Sequence, residues 1–273
     1  MLQVALAIQY PTAIAKRYEQ ELKLLTKTIY DVLIQEILNN SYFSSIYGQV
    51  VHRDSFNDDF QELVALCELK IAIELKGLVK KILKVAERTN VFNSKAVVES
   101  FKNISVKNSI GTSLKSAAIQ DVRAMWVSEN VRLIKSIAQN SLKDLEQVVY
   151  SSIRHGASHR ELAKNLVEKF NIAKRRASII ARDQINKLNA DLTRARHKEL
   201  GINLFKWSTS VDERVRASHK VLNEKICKYS DTQVYKDNAQ LKTWLNRISL
   251  GATLSQPGSD VLCRCSARAV IAA

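Results

Sequence analysis

Pro11 and Pro257 are the only prolines in this chain of 273 residues, and only 7 glycines accompany them. Proline fixes φ and removes a backbone donor, while glycine supplies the positive φ of tight turns. A chain with so few of either cannot make the many reversals of a β-sandwich or barrel. Long helices are what remains. Hydrophobic residues make up 46% of the chain, enough to build a core, so wholesale disorder is excluded.

Apolar spacing places those helices. The first spans about 12–39, with Ile14, Tyr18, Leu22, Leu25, Ile29, Leu33 and Ile37 on one face. A polar and aromatic connection over 40–59 follows. A second helix is expected over about 60–88, carrying Leu63, Val64, Cys67 and Ile71, and a short one over 94–103. The longest periodic run, 113–152, reads as one helix or as two broken near Ser128. Gly156 then interrupts, and Ser158 with Glu161 has the spacing of a capping box. That box would start a helix ending near Phe170. Another would run over 172–200, with Gly201 as a left-handed C-cap.

Beyond Gly201 the texture changes. Residues 205–209 and 267–271 alternate like strands, with short elements and a Pro257-Gly258 loop between them. The expected fold is therefore mainly α, a long-helix N-terminal region over 1–155 followed by a small α+β C-terminal module over 156–273. The apolar opening, 1–8, lacks a basic flank and reads as a tail or docking strand, not a signal peptide. No apolar run is long enough to cross a bilayer. Four cysteines are too few for a disulfide framework, which points to a reducing cytoplasm.

Charge narrows the partners. Lys and Arg number 42 against 27 acids, a formal +15. Residues 1–110 carry 14 bases and 12 acids, and residues 111–273 carry 28 and 15, so nearly all of the excess lies in the second part. Its densest stretch holds Lys174, Arg175, Arg176, Lys187, Arg194, Arg196 and Lys198. These are the candidate DNA-contacting residues, although such a run is equally a solvated helix face. With no base-reading motif present, any DNA contact would be to backbone and independent of sequence.

Catalytic motifs are missing: there is no phosphate-cradling Gly-rich loop, no His-Glu-x-x-His and no Gly-x-Ser-x-Gly. The informative cluster lies near the C-terminus. Trp207, Asp212, Arg214, Arg216 and His219 fall within thirteen residues, and Cys263-Arg264-Cys265 follows the Pro257-Gly258 loop. Two thiolates and an imidazole suit a tetrahedral zinc ion, which Cys227 would complete. The alternative is that Cys263 and Cys265 are small core residues on one strand face. Asp212, Arg214, Arg216 and His219 read as a buried or half-buried polar network that fixes turns, more than as a catalytic set.

At these residues the chain resembles the C-terminal module of phage minor head proteins, the Mu F-like head morphogenesis family, over about 157–271. The resemblance is carried in order by Ile180-Ala181-Arg182-Asp183, Trp207, the Asp212 to His219 stretch, Pro257-Gly258 and Cys263-Arg264-Cys265. Three positions depart from the pattern. Asp183-Gln184 stands where Thr-Glu is common, Glu224 replaces a glycine, and Cys227 replaces an aromatic.

The resemblance implies a structural, non-enzymatic protein of the phage head. Arg182, Asp183, Trp207, Asp212, Arg214, Arg216, His219 and Arg264 would be its motif residues. It would be present in low copy, in the virion head and beforehand in the host cytoplasm, acting in head morphogenesis and DNA packaging or delivery. The implied partners are a portal protein, a major capsid or scaffold protein and non-specifically bound phage DNA, with no membrane. The one candidate cofactor is a structural zinc. Two rival readings are a free sequence-independent nucleic-acid-binding protein and a zinc-dependent enzyme module.

Overall fold

The computed structural model describes residues 2–38, 53–104, 113–155, 159–238 and 240–272. Among them lie six helices: α1 (Thr12–Leu38), α2 (Arg53–Glu74), α3 (Leu78–Ser100), α4 (Ala117–Arg154), α5 (His159–Glu199) and the short α6 (Ala217–Lys220). Six strands complete the fold: β1 (Leu2–Val4), β2 (Leu204–Ser208), β3 (Ile226–Lys228), β4 (Val234–Lys236), β5 (Leu245–Asn246) and β6 (Ser266–Ala272). The fold is mainly α with a small antiparallel sheet near the C-terminus, as the scarcity of breakers requires. No described helix is long and apolar enough to cross a membrane.

Four features of the helices differ from the expected ones. The second helix starts earlier, at Arg53, and the apolar pattern over 60–100 is two helices, because the chain turns at 75–77 between α2 and α3. The separate helix expected over 94–103 is the end of α3. The helices expected on either side of residue 171 are one, α5, of 41 residues or about 60 Å at 1.5 Å per residue. Asn171 has no side chain that forces a stop, and Leu162, Leu166, Ala177 and Ile180 keep one buried stripe in phase across it. Likewise α4 is unbroken at Ser128. Gly156, Ser158 and the connection over 40–52 lie outside the described residues.

The chain divides into two compact units, one of residues 16–82 and 129–181, the other of residues 1–15, 83–128 and 182–273. The division at 155/156 follows sequence texture and is a different cut. The first unit is helical. Ile29, Leu33 and Ile37 of α1, Phe60, Leu63, Cys67 and Ile71 of α2, Leu145 and Val149 of α4 and Leu162 and Leu166 of α5 form one buried cluster. Of the α1 face read from spacing, Ile29, Leu33 and Ile37 are buried there, Leu25 packs against the cluster, and Tyr18 and Leu22 are buried further along. At about 25 cal/mol per Å2 of apolar surface removed from water, this burial drives assembly. Tyr18 adds a buried hydrogen bond from its hydroxyl to Asn130 Oδ1 at 2.8 Å.

The second unit holds the sheet, ordered β1-β6-β2-β3-β4-β5 with every pair antiparallel. The opening residues are a docking strand: Gln3 pairs with Ile271 in register, and the Ala5 and Leu6 amides bond the carbonyls of Ala269 and Ser100. Along β2, Phe205 and Trp207 turn inward and Lys206 between them stays half-exposed, the period-2 alternation of a one-sided sheet. Gly201 ends α5 as expected. It sits at φ +73°, and the amides of Gly201 and Ile202 bond the carbonyls of Lys198 and His197 in a Schellman arrangement.

That turn buries His197. Its Nδ1 lies 2.8 Å from the Tyr229 hydroxyl, and its Nε2 has no partner among the described residues. Burial pushes its pKa down from 6.5 to about 4. The unfolded chain therefore binds a proton here between those two values and the folded chain does not, so stability falls as pH drops from about 6.5 to 4 and is unaffected above 7. About 2 kcal/mol of this loss is expected by pH 5. Urea unfolding of wild type and His197→Gln at pH 7.5 and 5 measures it as the difference between the two slopes. Parallel pH dependence in both proteins would refute the assignment.

Candidate functional site

The motif residues gather at one end of β6. His219 sits in α6, whose first turn brings its buried ring against the segment preceding β6. Its Nδ1 lies 3.5 Å from the sulfurs of both Cys263 and Cys265. Its Nε2 is 2.9 Å from Asp260 Oδ2, and Asp260 Oδ1 accepts a hydrogen bond from the Ser255 hydroxyl at 2.6 Å. A carboxylate facing Nε2 makes that nitrogen the donor, which leaves the Nδ1 lone pair aimed at the two thiols. Trp207 closes the site, its ring edge-on to His219 with centroids 5.7 Å apart.

Among the described residues, His219, Cys263 and Cys265 are the one group of three such side chains whose ligand atoms lie close enough to hold a metal ion. Cys227 does not join them. It is buried on β3, beside Arg247, and desolvation pushes its thiol up to about 11. Nor do the two cysteines lie on a strand, as the core reading supposed: β6 begins at Ser266, after both. Both are buried nonetheless. Their titrations are linked. A hydrogen bond from Cys265 holds Cys263 down to about 5, and sharing that bond, together with burial, drives Cys265 up.

Residues of α5 hold the loop in place. Asp183 is buried and its Oδ1 accepts the Leu262 amide at 2.7 Å, while Oδ2 meets Lys187 Nζ at 2.9 Å. The Asn186 side-chain amide donates to the Cys263 carbonyl. Leu262 sits at φ +55°, a conformation costly for a branched side chain, and the Asp183 bond stabilises it. Arg182, beside Asp183, is exposed, and its carbonyl lies 3.3 Å from the Tyr10 hydroxyl.

The expected polar network is partly buried and partly surface. His219 is inside, but Arg214, Arg216 and Arg264 are exposed. Arg264 grips Asp212 with both terminal nitrogens at 2.6 Å, which holds the Asp212 carboxyl below the usual carboxylate range. Arg216 donates to the Val261 carbonyl at 2.7 Å, and Asp212 Oδ1 accepts the Arg214 amide at 3.1 Å. These three arginines, with Ser210 and Val215, line a small cleft that opens onto His219, Cys263 and Cys265.

The basic run of α5 is divided. Lys174, Arg175, Arg176 and Lys198 are exposed. Lys187 pairs with Asp183, and Arg194 pairs with Asp191 at 2.9 Å and reaches Ser259. Arg196 is a correction: it is fully buried and cannot meet a phosphate. Helical phase explains this, since Arg196 lies four residues beyond Leu192 on the inward face of α5. Its guanidinium bonds the side-chain oxygens of Asn90 and Asn93 at 2.6 Å each.

The sequence reading missed Asp260, Asn186 and Arg247. Asp260 was within reach, as the one acid between Pro257 and Cys265. Arg247 is fully buried, donates to the carbonyls of Val234, Thr253 and Ser255, and lies over the Trp207 ring at 5.6 Å. Nothing local distinguishes it from the exposed arginines. Glu224 is explained in turn: it sits at φ +63°, the conformation for which glycine is the usual choice.

The C-terminal sequence that builds this site matches a known family. Residues 143–268 match the family described as Phage Mu protein F like protein. The match covers the C-terminal part of the chain and includes α5, strands β2 to β5, the start of β6 and the His219 cluster. A protein of Haemophilus influenzae, described only as an uncharacterized protein, is 32% identical over 210 residues, which is 71% of this chain and 43% of that one. The chain thus spans less than half the length of that relative. No solved structure matches. The Mu F-like family is structural in kind and points to phage head morphogenesis.

Proposed function

We propose that the protein is a minor head protein of a bacteriophage, present in low copy at the portal and acting in head morphogenesis and DNA packaging or delivery without catalysing a reaction. The observation that carries this reading is the family match over a module whose motif residues fold into one built unit: Asp183, Trp207, His219 and the Cys263–Cys265 segment touch one another or a shared loop. Its partners would be the portal and the major capsid or scaffold protein, and its place the virion head, reached from the host cytoplasm. Exposed Lys174, Arg175 and Arg176 in one unit, and Lys198 in the other, supply positive charge for non-specific contact with packaged DNA. Trp244, flanked by Lys228 and Lys236 Nζ at 4.1 and 4.7 Å from its ring centre, adds an aromatic among cations of the kind that suits nucleic acid.

Co-expression with the portal protein of the same phage tests the reading. The protein is expected to copurify with the portal and to sediment with assembled heads. Heads that form fully without it, and a portal that never retains it, would overturn the proposal. The isolated chain binding DNA tightly on its own, with affinity falling steeply between low and moderate salt, would favour a free nucleic-acid-binding protein instead.

A further inference from the structure

We infer that His219 Nδ1, Cys263 Sγ and Cys265 Sγ bind one zinc ion, with Asp260 orienting the imidazole and the fourth position facing the arginine-lined cleft. The distances carry the argument. Bonds of about 2.3 Å to sulfur and 2.0–2.1 Å to nitrogen, spread tetrahedrally, separate a bound nitrogen from a bound sulfur by about 3.6 Å. Here both separations are 3.5 Å. Two sulfurs stand equally close to one imidazole lone pair, the arrangement that two thiolates and a nitrogen take around a shared cation.

The surroundings have the form that metal ligands need. The hydrogen bond from the far nitrogen of His219 to Asp260 is the carboxylate–histidine pairing that fixes the tautomer and strengthens the ligand. Asp260 is itself held by Ser255, so the orientation is built to a second layer. Thiolate and imidazole donors select zinc over the harder magnesium and calcium.

Three ligands leave a fourth position, and the open side of the cluster is the cleft of Arg214, Arg216 and Arg264. That position takes water or an exchangeable anion. The ion ties α6 to the segment before β6, two pieces more than forty residues apart in sequence. Its role in the first instance is to fasten the module.

The test uses the full chain, purified without chelator and analysed for metal, then stripped and titrated with cobalt(II). One equivalent of zinc and one of cobalt are expected, the cobalt form showing the visible bands of a tetrahedral thiolate site. Cys263→Ser and Cys265→Ser should lose binding, and Cys227→Ser should keep one equivalent. Asp260→Asn should bind about 10–100-fold more weakly. Inorganic phosphate added to the cobalt form should shift its bands, and unchanged bands would refute the open fourth position. Wild-type protein that stays folded yet takes up no metal would overturn the proposal even if the serine variants fail to fold, as would full binding by the Cys263→Ser/Cys265→Ser double variant.

Discussion

Replacing Arg196 with alanine is expected to destabilise the protein by about 3–5 kcal/mol, while replacing Lys174, about six turns away on the same helix, changes stability by less than about 0.5 kcal/mol. Arg196 lies inside the unit formed by α3, the start of α4 and the end of α5, where burial lowers its pKa to about 10 and still leaves it charged at neutral pH. Among the described residues no carboxylate pairs with it directly. Its charge is spread instead over the side-chain oxygens of Asn90 and Asn93, both fully buried. Asn93 passes the connection back to α5 by donating to Asn189 Oδ1 at 2.9 Å and Thr193 Oγ1 at 2.8 Å. Removing the guanidinium strands two buried acceptors, each costing about 1–3 kcal/mol, and opens a cavity as large as the side chain. Arg196→Met fills the cavity and leaves the acceptors, so its smaller loss separates the two costs. Urea unfolding of the three variants decides the matter. A loss below 1 kcal/mol for Arg196→Ala would mean that water replaces the guanidinium and the site is not dry.

Arg196 also marks where sequence reasoning stops. The chain shows that helices dominate because the scarcity of proline and glycine is a global constraint, and one face of α1 was legible because Tyr18, Leu22, Ile29, Leu33 and Ile37 repeat at a period the helix imposes. The length of α5 was not, because a polar residue such as Asn171 interrupts the pattern without interrupting the backbone. A charged residue is normally outside, so a basic run reads as surface at every position, and only tertiary packing shows that one of them is inside. The cysteine and histidine motif was legible as a set, but which of four candidates converge depends on the loop between β5 and β6. That loop excludes Cys227 and recruits Asp260, and its path is dictated by contacts with α5 that lie about 75 residues away in sequence.

Gly258→Ala is expected to cost about 2–5 kcal/mol, because the position fails a side chain in two ways. Its φ of +82° lies where a Cβ crowds the backbone, a penalty of about 1–2 kcal/mol. A Cβ built there would also lie 2.5 Å from the Ala190 Cβ of α5, a contact no real pair of carbons shows. Since Ala190 is fixed to a helix backbone, the loop must move, at a further cost of about 1–3 kcal/mol. The direction of that movement matters, because the Cys265 carbonyl lies 3.7 Å from the same Cβ position and Asp260 follows two residues on. Removing the opposing methyl separates the two causes. Ala190→Gly alone should cost about 1 kcal/mol in helix propensity. Combined with Gly258→Ala it should recover the steric share and leave the backbone share, a coupling of about 1–3 kcal/mol in a double-mutant cycle. Additive losses would show that the close approach of loop and helix plays no part. With coupling present, the glycine of the Pro257-Gly258 motif acts as the point at which α5 sets the height of the Cys263–Cys265 segment.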